Sequence, residues 1–131
     1  MTDERLILRY AYKDLKWLKS KAKSTFQRWC RERDEGEPCI SCGTMDAKWD
    51  GGHYFKAELY SSLIFNEMNV NKQCAYCNSW SDGNIIGYRR GLIKKYGKKK
   101  VNELEDLGLA DNRKAVKRTK MDYINIILKY R

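Results

Sequence analysis

The sequence predicts an α+β fold in which a small irregular centre, cross-linked through cysteines, is flanked by N-terminal and C-terminal helices. Two Cys-x-x-Cys pairs stand near the middle of the chain, at 39–42 and 74–77. Amphipathic patterns with helical spacing lie on both sides of these pairs. Between the pairs, short strand-like stretches alternate with glycine and polar residues. At 131 residues we expect one domain, 1–131, because chains of this length rarely divide.

The basic N-terminal segment is predicted to form one long helix over residues 12–34. Its apolar residues recur at steps of three or four, which places them on one face: Leu15, Leu18, Ala22, Phe26 and Trp29. Lys and Arg fill most of the remaining positions, and Gly36 and Pro38 end the pattern. The basic face is either a solvated surface or a surface that lies along phosphates, and both interpretations stay open.

The centre of the fold is expected over residues 39–97. The strings "KWD" and "HYF" flank Gly51-Gly52, which predicts a tight hairpin turn at the two glycines. Residues 84–97 predict a second long helix that ends at Gly97. The apolar stripe of this helix is expected to comprise Ile85, Ile86, Tyr88, Leu92, Ile93 and Tyr96.

A helical C-terminal extension is predicted over residues 98–131. The string "GKKKVNELEDLG" is expected to begin as a basic loop and to continue as a short helix. Residues 117–131 have the apolar spacing of a last helix. This helix either packs on the first helix or meets a second subunit.

The charge of the chain points to an anionic partner. The formal net charge is +10 and the isoelectric point is about 9.4. Nucleic acid is the first candidate and an acidic membrane surface the second, although no apolar run approaches a spanning length. Because the N-terminal residues lack a signal-peptide pattern, we expect a cytosolic protein with reduced thiols. In that compartment five cysteines favour metal binding over disulfides.

The two cysteine pairs predict a structural zinc site. Cys39, Cys42, Cys74 and Cys77 can place four thiolates around one tetrahedral ion and leave no position open for chemistry. A redox function would need only one pair and a different context. The fifth cysteine, Cys30, is expected to be a small buried apolar residue on the first helix.

The only histidine in the chain, His53, lies in the string "WDGGHYF" between the two cysteine pairs. It is a candidate for three roles: a catalytic base, a core residue, or a zinc ligand together with three of the cysteines. Asn69 precedes the second pair and Asn78 follows it directly. The order of His53, Asn69 and Asn78 around the second pair favours the catalytic interpretation.

At these residues the sequence resembles the HNH (ββα-metal) nucleases. Longer strings, "RERDEGEPCISCG", "WDGGHY", "FNEMNVNKQCAYCN" and "GNIIGYRRGLI", are similar to the phage NinG/Rap recombination-protein family over residues 26–92. This resemblance implies a treble-clef/HNH-like centre and a phage- or prophage-encoded enzyme in the host cytosol. The implied activity is divalent-metal-dependent nicking of branched DNA such as Holliday junctions, D-loops and forks.

The resemblance also implies roles for individual residues. His53 would be the general base, and Asn69 would brace the loop and orient it. Mg²⁺ or Mn²⁺ would bind the oxygens of Asn78 and of Asp50 or Asp82. The family pattern usually has Asp or His directly before the base, whereas this chain has Gly52 there, so the choice between the two aspartates stays open. Asn78 could equally be a helix N-cap, and Asp82 a turn residue.

Branched DNA is the expected partner, and basic side chains would neutralise its phosphates. The candidates are Lys16, Lys19, Lys23, Arg89, Arg90, Lys94, Lys95, Lys98, Lys99 and Lys100. Trp49, Tyr54 and Trp80 either belong to the core or stack on unpaired bases. Two symmetric nicks would suit a homodimer. The competing functions are a non-catalytic zinc-containing recombination accessory protein and a basic adaptor for an acidic protein.

Overall fold

The computed structural model describes residues 2–131 and has the mixed α+β character that the sequence predicts. Within that range the elements follow in this order: α1 Asp3–Ala11, α2 Leu15–Arg33, β1 Trp49–His53, a 3₁₀ turn Ser61–Leu63, β2 Val70–Cys74, a π-helical turn Tyr76–Trp80, α3 Ile85–Tyr96, α4 Lys98–Asp111 and α5 Lys120–Tyr130. The two strands form one antiparallel sheet. Over residues 2–131, no helix combines the length and the apolar character needed to cross a bilayer.

The first predicted helix is confirmed as α2, and a further helix, α1, precedes it. The Asp14 side chain accepts a hydrogen bond from the Trp17 N–H at 2.8 Å, so α2 begins at Leu15 rather than at residue 12. The preceding residues fold back into α1, which Thr2 caps. The apolar pattern of α1 spans only nine residues, which is too short for the helical period to be clear from the sequence.

The predicted hairpin turn at Gly51-Gly52 is wrong, because both glycines lie inside β1. Gly51 pairs with Lys72 and Gly52 with Asn71 across the sheet. A Cβ on Gly51 would lie 2.8 Å from the backbone oxygen of Gln27 on α2. A Cβ on Gly52 would meet the side chain of Gln73. The glycines therefore allow close packing on both faces of the strand and do not reverse the chain.

The second predicted helix is confirmed as α3, which ends at Gly97. Its expected stripe is only partly buried: Tyr88 and Leu92 are in the core, whereas Ile86 is exposed. The basic loop predicted after Gly97 is wrong, since residues 98–100 form the first turn of α4. Gly97, with φ of +90°, makes the sharp corner between the two helices.

The last helix packs on the first long helix, one of the two arrangements that its pattern allowed. Leu18 and Ala22 of α2 are buried against Tyr123, Ile124 and Ile127 of α5. A capping box between Thr119 and Asp122 starts α5. Farther along the same face of α2, Phe26 and Cys30 pack against Val70 of β2, so α2 also contacts the sheet.

Candidate functional site

The four cysteines predicted to bind zinc come together at one end of the sheet. Their sulfur atoms all lie within 4.8 Å of one another, and the Cys42 and Cys74 sulfurs are 3.8 Å apart. Zinc–sulfur bonds of about 2.3 Å in a tetrahedron require sulfurs roughly 3.8 Å apart. The donor set therefore fits a metal ion such as zinc. His53 is not a member of this group, which removes the three-cysteine alternative.

Backbone amides surround the cluster and stabilise its thiolates. Cys39 Sγ accepts hydrogen bonds from the N–H groups of Ser41, Cys42 and Cys74. Burial raises the pKa of Cys39, but these amides outweigh burial and lower it to about 7. The thiol of Cys30 is buried elsewhere, between α2 and the sheet, and burial raises its pKa to about 12. Cys30 is therefore the inert apolar residue that the sequence predicts.

His53 is the last residue of β1, at the end of the sheet opposite to the cysteines, where it pairs with Val70. Its Nε2 lies 3.0 Å from the carbonyl oxygen of Ile64. A carbonyl can only accept, so we assign the proton to Nε2, which leaves the lone pair on Nδ1 free. Burial lowers the pKa of His53 from the usual 6.5, against the opposing effect of the Ile64 carbonyl. The imidazole is therefore neutral at pH 7.

An open cleft of about 340 Å³ adjoins His53. The residues that line it come from α2, from the loop after β1, from the π-helical turn and from the start of α3. They are Lys23, Gln27, Gly51, His53, Lys56, Ala57, Glu58, Asn78, Ser79, Asp82, Gly83 and Ile85. The fold thus brings together three of the predicted site residues, His53, Asn78 and Asp82.

Asp50 is not among the residues that line this cleft. Side chains alternate along a strand, so Asp50 lies on the face of β1 opposite to His53. Its Oδ2 accepts a hydrogen bond from Asn78 Nδ2 at 3.0 Å. That bond leaves the amide oxygen of Asn78 free. Asn78 lies inside the π-helical turn and caps no helix, so the N-cap interpretation is wrong.

Asp82 lies in the turn before α3, which confirms that it is a turn residue. Its φ of +49° is the left-handed conformation that Asp tolerates in turns. The carboxylate is exposed, and its Oδ1 accepts a hydrogen bond from Lys56 Nζ at 3.1 Å. Asp82 therefore lines the cleft as an accessible oxygen donor with one exposed cationic partner.

Asn69 is fully buried and braces the loop that follows His53. Its Oδ1 accepts from the Phe55 N–H at 2.8 Å, while its Nδ2 donates to the carbonyls of Phe55 and Leu63. These bonds hold the chain on both sides of the segment that contains Ile64, the partner of His53. Asn69 makes its contacts with that backbone and positions the imidazole only through it.

One family of phage proteins matches the chain over nearly its whole length. A family model described as "Bacteriophage Lambda NinG protein" covers residues 3–131. The chain belongs to the bacteriophage NinG family. The NinG resemblance predicted from residues 26–92 is thereby confirmed, and the match extends over both terminal helices.

Three curated relatives carry the printed name "Protein ninG". Those of Escherichia phage lambda, Escherichia phage 933W and Salmonella phage P22 are 44%, 43% and 43% identical to this chain over 90 residues. That stretch is 68% of this chain and 44% of each relative. The match therefore spans less than half the length of these relatives. No solved structure matches the chain.

The basic residues of this NinG-family chain fall into two groups. Lys16, Lys19 and Lys23 lie on one face of α2, because they are spaced by three and four residues. Lys23 lines the cleft, so this stripe leads away from it along the helix. The second group surrounds α3 and the start of α4, and its exposed members are Arg90, Lys94, Lys98, Lys99 and Lys100.

Two of the predicted DNA-binding residues, Arg89 and Lys95, form ion pairs with other elements of the protein. Arg89 forms a two-pronged ion pair with Glu105 of α4, with Nε and Nη2 contacts of 3.1 to 3.3 Å. Lys95 Nζ lies 2.7 Å from the buried carboxylate of Asp34 and 2.8 Å from Asn71. Burial raises the pKa of Asp34, but Arg33 and Lys95 outweigh burial and lower it. These side chains connect the elements of the fold.

The three candidate aromatic residues have different environments. Trp49 packs on the cysteine cluster, with Lys72 Nζ 4.0 Å from its ring centre, and Tyr54 is buried and donates to Glu105. Trp80 is 82% exposed. Sequence analysis missed Lys56 and Gln27 as residues of the cleft. The helical spacing of Lys16, Lys19 and Lys23 continues to Gln27, and this spacing could have indicated that Gln27 lies beside Lys23.

Proposed function

We propose that this NinG-family chain is a structure-specific DNA endonuclease of the HNH-like, treble-clef type. It nicks branched recombination intermediates, such as Holliday junctions, D-loops and forks, by divalent-metal-dependent hydrolysis of a phosphodiester. The observation that carries the proposal is His53. A neutral imidazole, held at Nε2 by Ile64, presents its free Nδ1 beside an open cleft that also contains two lysines.

The order of elements supports the HNH-like assignment. A histidine ends β1, a loop braced by an asparagine leads into β2, and a helix follows beside the cysteine cluster. The chain departs from the common pattern after the second cysteine pair. The π-helical turn Tyr76–Trp80 carries Asn78, and α3 begins only at Ile85.

In the proposed reaction, His53 removes one proton from the attacking water. A phosphodiester repels anionic nucleophiles, so water must lose its proton as it attacks phosphorus. Nδ1 of His53 accepts that proton, while the Ile64 carbonyl holds the ring through Nε2. Lys23 and Lys56 lower the negative potential around the scissile phosphate.

The cleft offers the hard oxygen donors that Mg²⁺ or Mn²⁺ prefers. The free amide oxygen of Asn78 and the exposed carboxylate of Asp82 would hold such an ion, and Asp50 would support Asn78 through its hydrogen bond. When bound, the ion would offset charge on the departing 3′ oxygen. Asp82 is the better ligand candidate than Asp50 because it lines the cleft with His53.

A second candidate function is a non-catalytic, zinc-containing DNA-binding accessory protein for recombination. The observation that favours it is the state of the two aspartates: Asp82 bonds to Lys56, and Asp50 bonds to Asn78. In this alternative the lysines and the exposed basic residues still bind phosphates. His53 would then serve only to fix the loop through Ile64.

The branched substrate and the dimer complete the proposal. The basic groups on α2 and around α3 lie on separate elements and suit contacts to the backbones of different DNA arms. Such contacts read shape and carry little sequence information. Because a four-way junction needs two symmetric nicks, we propose that the active form is a homodimer.

A cleavage assay with zinc-loaded protein and added Mg²⁺ or Mn²⁺ tests the proposal. It compares a four-way junction, a fork and a linear duplex of the same sequence. We expect cutting of the branched forms, and no cutting by His53→Ala, which should still bind the junction. Tight junction binding without cutting by the wild-type protein would favour the accessory function, and cutting by His53→Ala at the wild-type rate would refute the assigned base.

A further inference from the structure

Trp80 is the most unusual surface residue of the chain. Its side chain is 82% exposed, although tryptophan is highly buried on average in folded proteins. It ends the π-helical turn that carries Asn78 and Ser79, and both of these residues line the cleft. Trp80 therefore directly follows two residues of the cleft that contains His53, and its large apolar surface faces solvent.

The backbone that carries Trp80 is fixed even though its side chain is free. The Ser81 N–H donates to the Tyr76 carbonyl at 3.0 Å, which closes the π-helical turn, and the Gly83 N–H donates to the Cys77 carbonyl at 2.9 Å. Cys77 belongs to the cysteine cluster, so the metal site anchors the turn. Short π-helical segments occur often at functional sites. A flat ring on a rigid support loses little entropy when it binds a partner.

The charges around Trp80 indicate what kind of partner it meets. Lys23 and Lys56 line the adjoining cleft together with Glu58 and Asp82, and the chain as a whole carries a formal charge of +10. Cationic side chains beside an exposed aromatic ring are the combination that binds single-stranded nucleic acid: the cations neutralise phosphates while bases stack on the ring. An acidic or apolar protein partner would satisfy only one of these two features.

We propose that Trp80 stacks on an unpaired base of the DNA and thereby favours branched over linear substrates, an inference that rests on the proposed function for the identity of the substrate. In a linear duplex each base is already stacked between its neighbours. A fork or junction offers bases without such neighbours next to the strand that enters the cleft. Trp80 is thus a specificity-determining residue, separate from the residues assigned to proton transfer.

The test measures binding and not cleavage, on a His53→Ala background without added Mg²⁺ or Mn²⁺. The probe is a fork whose first unpaired base is 2-aminopurine, which loses fluorescence when it stacks, and a linear duplex is the reference. We expect Trp80→Ala to weaken fork binding about tenfold, with little effect on the duplex, and to abolish the quenching. Trp80→Phe should retain most of both signals. Leu109→Ala removes a side chain that is 80% exposed on α4 and should change neither.

Three results would overturn the inference. The first is unchanged fork binding and quenching in Trp80→Ala, which would indicate that the indole contacts a protein partner instead. The second is an equal loss of affinity for fork and duplex in that variant. The third is a parent protein that binds the fork no more tightly than the duplex. The failure of the nuclease proposal would look different. In that case the wild-type protein would cut nothing in the cleavage assay, while the fork-selective effect of Trp80→Ala would persist.

Discussion

The two ends of the β1–β2 sheet make an instructive comparison. At one end, where Trp49 pairs with Cys74, four sulfur atoms lie within 4.8 Å of one another and backbone amides converge on them. At the other end, where His53 pairs with Val70, a cleft of about 340 Å³ opens to solvent. The first site is closed and assembled by the backbone. The second is open, and Asp82, one of its two acidic residues, contacts one exposed lysine.

This difference indicates that the cysteine cluster supports the fold, whereas the cleft at His53 has groups free to bind a ligand. The four cysteines of the cluster would all bind one ion, which would leave no position for a substrate. The cleft keeps a free imidazole nitrogen, a free amide oxygen and an exposed carboxylate. Substitutions at the closed end should therefore affect folding first, and substitutions at the open end should affect activity first.

The largest effect is expected at the closed end, for Cys39→Ser. Structural zinc contributes on the order of 10 kcal/mol to the folding of small zinc domains, so loss of one ligand should release the metal and unfold the centre. Zinc content and thermal unfolding measure this directly. Cys30→Ala is the matched control, since it removes a buried thiol outside the cluster and should keep zinc at one per chain. Equal zinc loss in both variants would contradict the comparison.

The next effect is expected at the open end, for Asp82→Asn. If Asp82 holds the divalent ion, kcat/KM for junction cleavage should fall about tenfold or more, while thermal stability and zinc content stay the same. Asp50→Asn makes the same chemical change on the opposite face of β1 and should have the smaller effect. A larger loss for Asp50→Asn would assign the ion to that residue.

The pH dependence of cleavage should be set by His53 at the open end of the sheet. Burial lowers the pKa of His53, so the base is neutral above that pKa, and cleavage should fall about tenfold per pH unit below it. We expect the midpoint of this acid limb below pH 6.5. The same shift means that the unfolded chain binds the proton more readily, so stability should decrease as pH falls below 6.5. His53→Gln should lack this part of the stability change, and an acid limb with its midpoint above 6.5 would contradict the burial argument.

The smallest effect is expected for a single phosphate contact. Lys23→Ala should weaken binding to branched and linear DNA alike by a few fold and lower the salt dependence of binding by about one ion. Lys21→Ala removes the same charge from another face of α2 and should change both quantities less. Titrations at several salt concentrations measure the two slopes, and identical slopes would show that the stripe on α2 does not contact DNA.

Local patterns in the sequence predicted the closed end well. Each Cys-x-x-Cys pair brings two sulfurs close together, and two such pairs supply the four ligands that one zinc ion needs. The helical spacing of Leu18 and Ala22 likewise predicted the buried face of α2. These features depend on residues that are near one another in the chain.

Long-range packing explains most of the errors. Gly51-Gly52 has the composition of a turn, but the close approach of Gln27 and Gln73 is what requires glycine there. Arg89 and Lys95 have side chains typical of a DNA-binding surface, and their ion pairs with Glu105 and Asp34 were not predicted. Nothing local indicates partners so distant in the chain.

The cleft itself could be predicted only in part. The single histidine between the cysteine pairs pointed to its centre, and Asn78 and Asp82 followed from their positions after Cys77. The side of the strand on which Asp50 lies depends on where β1 begins and ends. Because a strand was expected to stop at the glycines, the separation of Asp50 from His53 could not be foreseen.

Chemical rescue of His53→Ala is the measurement that tests the central claim most directly. Single-turnover cleavage of a four-way junction is followed with Mg²⁺ or Mn²⁺, with and without added imidazole. If Nδ1 of His53 is the base, the variant should be inactive alone, and imidazole should restore cleavage in proportion to its neutral form. Cleavage at the wild-type rate without imidazole would contradict the account.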